Sequence, residues 1–411
     1  MRDTNGAVVE VVVVGGGIAG ASLAGALAGA GRSVMVLEAT ETFTDRVRGE
    51  SMMPWGVAEA DRLGVGAILR GAGAHIAPLW RRYGESDVEP RDIPVGMLVP
   101  GIEGTLNLHH PTACQALLDG AAAAGAEVRR GVRDLSISQD GPEPFLSFTQ
   151  GGDRHRLAAG LVVGADGRSS VVRRAIGVEL DRLDATAAVV GLLLDGVDGP
   201  VDHDVVAEHD RGMSLVLHQG SGRARGYHVV PIEDRARYAG PDGAAAFLAD
   251  LRDGPPRLAE MARAATPAGP CATFPNVQSW TDAPAVGSAV LIGDAAGQSD
   301  PSIGCGLSVA MRDARTVRDQ ILDGASTAAD FAPYAAERVE TMRRLRGIAD
   351  VLVGASVLPG DDRAERRARF AEAMATMHPE VFPLVVGMFA GPETVPVELI
   401  DRGVPEVLRA A

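Results

Sequence analysis

Residues 11–14 are an unbroken valine run, the pattern of a strand buried on both faces of a parallel sheet. Glycines come at once after it. Residues 21–30, rich in Ala, Leu and Gly, then predict a closely packed helix, and residues 33–37 predict a second strand closed by Glu38. Much later, residues 161–164 end a strand just before Ala165-Asp166-Gly167-Arg168. A helical stretch begins there near Ser169, with Ser169 and Ser170 both able to cap it. Leu291-Ile292 closes another strand at Gly293-Asp294. Small and polar residues come next, and a helix is expected from near Gly306. Alternation at residues 214–218 and 226–230 predicts half-buried antiparallel strands. Long helices are expected over 331–351 and 361–377, the second with Asp361-Asp362 suited to its N-terminus. Pro379, Pro383 and Pro392 break up the rest of the chain.

A chain of 411 residues exceeds one ordinary core, so two or more domains are expected. With 46% apolar and 23% charged residues the composition is that of a soluble globular protein. No apolar run reaches the length of a membrane span, and the run at 8–14 lacks the basic lead-in of a signal peptide. Cys114, Cys271 and Cys305 show no metal-ligand spacing, so no metal is expected, and a reducing cytoplasm fits best. The formal charge of −15 argues against a grip on nucleic acid, and the 4% aromatic content against stacking platforms for single strands. All 39 basic residues are arginine, which excludes a Schiff-base lysine, a P-loop lysine and a lysine general base.

Gly15-Gly16-Gly17-Ile18-Ala19-Gly20 is a G-x-G-x-x-G set between a strand and a helix, with an acid, Glu38, at the end of the next strand. Gly15 permits the turn, Gly17 lets backbone approach a pyrophosphate, and Gly20 lets helix and strand pack closely. Free N–H groups at the helix N-terminus, including Ile18 and Ala19, favour the anion, and Glu38 can accept from an adenosine ribose. The motif marks a dinucleotide site and leaves NAD and FAD open.

Taken in order, GxGxxG…E, then GADGR at 164–168, then GD…P…GxG at 293–306 resembles the flavoprotein aromatic hydroxylases. These are the para-hydroxybenzoate hydroxylase-like class A flavin monooxygenases, and the likeness spans about residues 7–325. The resemblance implies an α/β fold: a Rossmann-like FAD-binding domain (1–77, 101–183 and 281–330), a mixed or antiparallel-sheet substrate domain (78–100 and 184–280) and a C-terminal helical region (331–411). It implies that Asp294, after Gly293, holds the ribityl hydroxyls of FAD, and that Asp166-Gly167 lies near the pyrophosphate and shapes the nicotinamide approach. It further implies that Pro301 sits on the flavin face beside the reacting carbon, and that Gly306, Leu307 and Ser308 present N–H groups to the pyrimidine end. Arg46 and Arg48 match an early arginine of the family; Arg48 contacts the FAD phosphates or ring edge, or is a solvated loop charge. The implied chemistry is reduction of FAD by NADPH or NADH, then transfer of one oxygen atom of O2 through a flavin C4a-hydroperoxide to a small aromatic or polycyclic substrate.

The sequence also departs from the family. His109-His110-Pro111-Thr112 stands where many relatives carry Arg or Gln. On a strand the two histidines would point to opposite faces, a poor metal pair. Gln115, one turn on, is a cofactor contact or a surface or packing residue. The stretch 210–231 resembles the substrate hairpin: Arg225 and Tyr227 meet substrate there or only dress the sheet, and Leu217 and Gln219 stand where a carboxylate-binding pair would be. His218 and His228 are expected to be hydrogen-bonded sheet residues; Trp80, Tyr83 and Met213 line a pocket or fill a core. Two other readings keep the fold. A partner-fed reductase, dehydrogenase or halogenase is suggested by Gly49-Glu50-Ser51, although W-x-W-x-I-P and a relay lysine are absent. A non-enzymatic flavoprotein is the last. The expected partners are the substrate and O2, with a homodimer allowed for.

Overall fold

The computed structural model describes residues 2–3, 8–47, 49–84, 90–138 and 144–408. Two β-sheets dominate it. In the first, strand Val9–Val14 lies between Val34–Leu37 and the long strand Asp153–Gly164, parallel to both. Glu127–Arg129 extends one side, again parallel, and Ala289–Leu291 runs parallel to the end of Asp153–Gly164. The first half of Asp153–Gly164 pairs antiparallel with Phe145–Gln150, which pairs with Arg133–Ser138. One strand thus serves two layers, which is why its exposure falls along its length from exposed Asp153 to buried Gly164.

The valine run has no polar face because both sides are covered. Helices Ile18–Gly29, His110–Ala123 and Gly306–Leu322 pack on one side. Leu146, Phe148 and Leu157 fill the other. The parallel strands all end toward the same edge, where Gly15, Glu38, Ala165 and Ile292 succeed them. That edge is where open α/β sheets bind ligands.

The second sheet orders Ala187–Asp195, Arg223–Pro231, Gly212–Gly220, His203–His209, Leu79–Tyr83 and Arg91–Ile93, with Ala272–Pro275 beside the first of these. His203–His209 is parallel to Leu79–Tyr83; the other pairings are antiparallel. The alternation at 214–218 and 226–230 predicted half-buried strands. Both segments are strands, within Gly212–Gly220 and Arg223–Pro231, but they are buried on both faces. Helix Gly243–Arg252 covers one face, with Phe247 and Leu251 in its core. The C-terminal helices Ala332–Ser356, Arg363–Ala375 and Phe382–Ala390 cover part of the other. Small and polar residues on the covered faces made the strands read as half-solvated.

His109 and His110 are not on a strand. His110 opens helix His110–Ala123, with Pro111 in its first turn, and His109 precedes it with Nδ1 2.8 Å from Thr112 Oγ1. Among the described residues no group of three or more His, Cys, Asp or Glu is placed to hold a metal ion. No described helix is long and apolar enough to cross a membrane.

Candidate functional site

A cavity of about 650 Å³ runs from the carboxyl edge of the first sheet to the inner face of the second. Its first part is built on backbone. Gly15 has φ +102°, and a Cβ there would stand 2.4 Å from the carbonyl oxygen of Ala165; a Cβ on Gly20 would stand 2.0 Å from the carbonyl oxygen of Gly15. The two glycines let the turn tuck under the helix start, leaving Gly15, Gly17, Ile18 and Ala19 on the cavity wall. Helix Ile18–Gly29 has no side-chain cap at this end, so its first N–H groups face the space. Glu38 also lines the cavity. Its Oε2 accepts from the N–H of Gly16 at 2.6 Å, and its Oε1 accepts from the N–H and hydroxyl of Thr40 at 2.7 and 2.8 Å. A carboxylate has about four acceptor positions, so one remains on Oε2.

Asp166 lines the cavity too, but its carboxylate is occupied. It accepts from the hydroxyl of Ser170 and from the N–H groups of Val171 and Val172, at 2.6 and 3.2 Å for the last two. Ser170 in turn caps Val171–Ala175 by accepting from the N–H of Arg173. Ala165, Gly167 and Arg168 line the cavity beside it.

Asp294 is different. It lines the cavity, burial pushes its carboxyl pKa up, and its side chain accepts no hydrogen bond from the described residues. Asp294 is half-buried and faces the cavity, so a ligand bound there can supply the donors that the protein does not. The turn that carries it is held from below. Arg338, on helix Ala332–Ser356, donates from Nη2 to the carbonyl oxygens of Gly293 and Gly297 at 3.0 and 2.9 Å, and from Nη1 to that of Ala296 at 3.0 Å. Its Nε donates to Asp313 Oδ2 at 2.9 Å, and Asp313 also accepts from the N–H of Gly293 at 2.8 Å. Gly306 and Leu307 open helix Gly306–Leu322 at the cavity, again with no side-chain cap, and Pro301 is an exposed wall residue beside it. Asp300, just before Pro301, is buried; it accepts from Asn276 Nδ2 and the N–H of Ser302, both at 2.8 Å, and burial pushes its pKa up to about 6.

The second part of the cavity is apolar. The second sheet contributes Trp80, Val189, Leu215, Leu217, Tyr227, Val229 and Phe274. Glu50 and Met53 close it from the chain before helix Pro54–Leu63. Tyr227 donates its hydroxyl to Glu50 Oε2. Arg225, fully buried on the same strand, places Nη2 3.1 Å from Glu50 Oε1 and 2.8 Å from Asp45 Oδ2. Asp45 accepts from the N–H of Val47 at 2.7 Å, and Val47 is held at φ +58°, which a β-branched residue rarely adopts. Opposite it, Gly191 has no side chain: a Cβ there would stand 2.5 Å from Val47 Cγ1 and 2.7 Å from Tyr227 Cε1. Burial pushes the Glu50 pKa up to about 7, against the pull of Arg225 and Tyr227.

Most residues expected from the sequence meet at this cavity: Gly15, Gly17, Ile18, Ala19, Glu38, Arg46, Asp166, Gly293, Asp294, Pro301, Gly306, Leu307, Leu217 and Tyr227 line it. Arg48 lies outside the described residues. Five others do not line it: Gly20 packs under the turn, against the carbonyl oxygen of Gly15, and four side chains are used elsewhere. Gln115 donates to Asp119 and accepts from Arg130, both at 2.7 Å, so its amide is spent on the outer face of its helix. The hydroxyl of Ser308 accepts from the N–H of Met53 at 3.0 Å. Gln219 Nε2 donates to the carbonyl of Leu108 at 3.1 Å. Arg225 stands behind the wall, turned to Asp45 and Glu50. Trp80 lines this cavity and a neighbouring one of about 70 Å³, which Met213 also lines; Tyr83 is core. His228 is hydrogen-bonded, with Nδ1 2.7 Å from Ser214 Oγ and Nε2 3.1 Å from the Phe247 carbonyl oxygen. His218 is not: among the described residues neither ring nitrogen has a hydrogen-bond partner, and burial lowers its pKa to about 4. Sequence reasoning missed Glu50 as a wall residue. His110 was singled out there as a departure from the Arg or Gln of many relatives and as half of a poor metal pair. It also lines the cavity, with Nδ1 3.0 Å from the carbonyl oxygen of Gly49.

A glycine turn on one strand, an unpartnered carboxylate at the tip of another and an uncapped helix start, all facing one cavity, define a flavoprotein of the dinucleotide-binding type. The comparisons agree: residues 8–345 match the FAD binding domain family, and the chain belongs to it. It is 27% identical over 323 residues to squalene monooxygenase SE2 of Panax ginseng, covering 77% of this chain and 59% of that protein. It is 30% identical over 186 residues to 6-methylpretetramide 4-monooxygenase of Streptomyces rimosus, covering 44% of this chain and 43% of that one. The chain thus spans less than two thirds of these curated relatives. Among solved structures, PqsL of P. aeruginosa in complex with 2-aminobenzoylacetate superposes with a TM-score of 0.74 over 93% of this chain and all of that one, at 20% identity. At that identity the likeness speaks for the fold.

Proposed function

We propose that the chain is an FAD-dependent monooxygenase that uses NADPH or NADH and O2 to hydroxylate or epoxidise a small, apolar, aromatic or polycyclic molecule. The observation that carries this reading is the continuity of the cavity, which joins a flavin-type cofactor site directly to an apolar chamber. The free acceptor of Asp294 fits the ribityl hydroxyls of FAD, and the Gly15–Gly20 turn with Glu38 fits its adenosine diphosphate half. Gly306 and Leu307 place a helix N-terminus where negative charge on the flavin pyrimidine ring would be stabilised. Bound FAD, once reduced, supplies the activation of O2. The chain's own residues position the substrate and keep water out: Met53, Leu215, Leu217 and Val229 make that wall dry. The relatives that act on squalene and on 6-methylpretetramide support an apolar or polycyclic substrate.

The test is the visible spectrum of FAD-loaded protein kept anaerobic, with NADPH and then NADH added. Bleaching that speeds up with an aromatic ligand is expected. Bound FAD that neither nicotinamide bleaches, with any ligand, would overturn the self-sufficient reading in favour of an enzyme fed by a partner reductase.

A further inference from the structure

Resting on the monooxygenase reading of the cavity, we infer that the substrate carries a short unbranched aliphatic chain, and that this chain lies in the neighbouring cavity of about 70 Å³ behind the apolar chamber.

This second cavity is a slot between the second sheet and the C-terminal helices. Val206 and Met213 form its sheet side; Leu352 and Val353 of helix Ala332–Ser356 and Val385 of helix Phe382–Ala390 form the other. Trp80, Leu215, Ser302 and Ile303 line both cavities, so slot and chamber share a wall. That wall is a seam between two elements. Trp80 and Leu215 come from strands of the second sheet, and Ser302 and Ile303 from the turn that begins at Pro301. The slot thus meets the chamber beside the turn that the monooxygenase reading puts at the flavin face.

The slot suits an alkyl chain and little else. Its charged lining residues are already engaged: Arg81 pairs with Asp92 at 2.7 Å, and Arg82 donates to Glu208 and to Ser356 Oγ. Water needs several polar partners to occupy a cavity, whereas apolar cavities stay dry and take up apolar guests. A dry cavity of roughly 150 Å³ admits benzene. The slot, at about 70 Å³, has about half that volume. It is too small for a ring and matches a chain of about three carbons. The ring system of the substrate stays in the larger cavity.

The experiment is titration calorimetry of FAD-loaded protein, without reductant, with 4-n-alkylphenols from methyl to octyl and with 4-tert-butylphenol. Each methylene that enters the slot tightens binding by about three- to fourfold. The series is expected to rise over roughly three successive carbons and then level off. The n-butyl phenol binds at least about fivefold more tightly than its tert-butyl isomer, which the slot is too narrow to admit. Adsorption to exposed apolar surface would instead rise with every carbon and ignore branching. Val385→Phe, read only in protein that still holds FAD, fills the slot: it keeps 4-methylphenol binding and loses the rise. Met213→Ala enlarges the slot and moves the levelling point to a longer chain. A rise without limit, no rise, equal binding of the two butyl isomers, no binding of any member, or an unchanged series in Val385→Phe would each overturn the inference. The wild-type series decides alone should the variants fail to fold. No oxygen chemistry enters, so a flat series alongside normal flavin bleaching would leave the monooxygenase reading standing.

Discussion

At the scale of single residues, two carboxyl groups at the cavity differ: that of Asp294 opens onto it, and that of Glu50 is fully buried behind it. Asp294 keeps its acceptors free, so Asp294→Ala is expected to lose FAD on desalting, with affinity lower by about 100-fold or more. A variant that stays fully yellow would remove that role. Glu50 has its pKa raised from 4.5 to about 7, so the fold favours its protonated form. That contribution is complete below about pH 4.5 and is lost as pH rises through about 7. Compared with Glu50→Gln, the wild type should lose roughly 2–3 kcal/mol of stability between pH 5 and pH 8. Denaturant melts at the two pH values check this, and parallel stabilities would contradict it.

The residues that were legible in the sequence are those whose chemistry is written into backbone. Gly15, Glu38 and Asp294 sit at or just past strand ends, and Gly17 and Gly20 at the start of the following helix, where a turn, a close approach or a lone acid leaves few other uses. Tyr227 and Arg225 were legible only through the resemblance to a substrate hairpin, which left them as substrate contacts or as residues that dress the sheet. What the sequence hid is that Asp45 and Glu50 hold Arg225 behind the wall, so that it braces the cavity instead of entering it. No periodicity encodes a loop that crosses from one sheet to the other. Glu50 was visible only as part of Gly49-Glu50-Ser51; its role comes from burial, which a lone acid in a glycine-rich loop does not announce.

Among elements, the long helix Ala332–Ser356 matters beyond covering a sheet. Through Arg338 it fixes the turn at 293–297 by three carbonyl contacts and one ion pair, all buried. Replacing Arg338 with Met leaves Asp313 buried and unpaired, at a cost of about 3–5 kcal/mol. Arg338→Met should melt earlier and release FAD, and adding Asp313→Asn should recover part of the melting temperature. Unchanged FAD retention in the single variant would show that the turn holds itself. The sequence predicted this helix over 331–351 from its period, and the structure extends it to Ser356. Periodicity finds the helix but does not reveal that an arginine on it reaches a turn about forty residues earlier.

For the whole molecule, the cavity is the joint. Its walls come from both sheets, and the C-terminal helices close the second sheet behind it. FAD should therefore stabilise the entire chain, by about 2.7 kcal/mol at 100 times its Kd. Tryptophan and flavin fluorescence should report one shared melting transition. Two separated transitions would mean that the second sheet and its helices fold independently of the cofactor edge.

Gly191 gives this architecture a tuning point. It touches no part of the cavity, yet Val47 and Tyr227 rest against the space where its side chain would be. A single methyl group added there would press both inward from outside the chamber. The width of the guest room is set by a doorstop in the wall behind it, so selectivity for bulk can be altered without touching either guest or flavin.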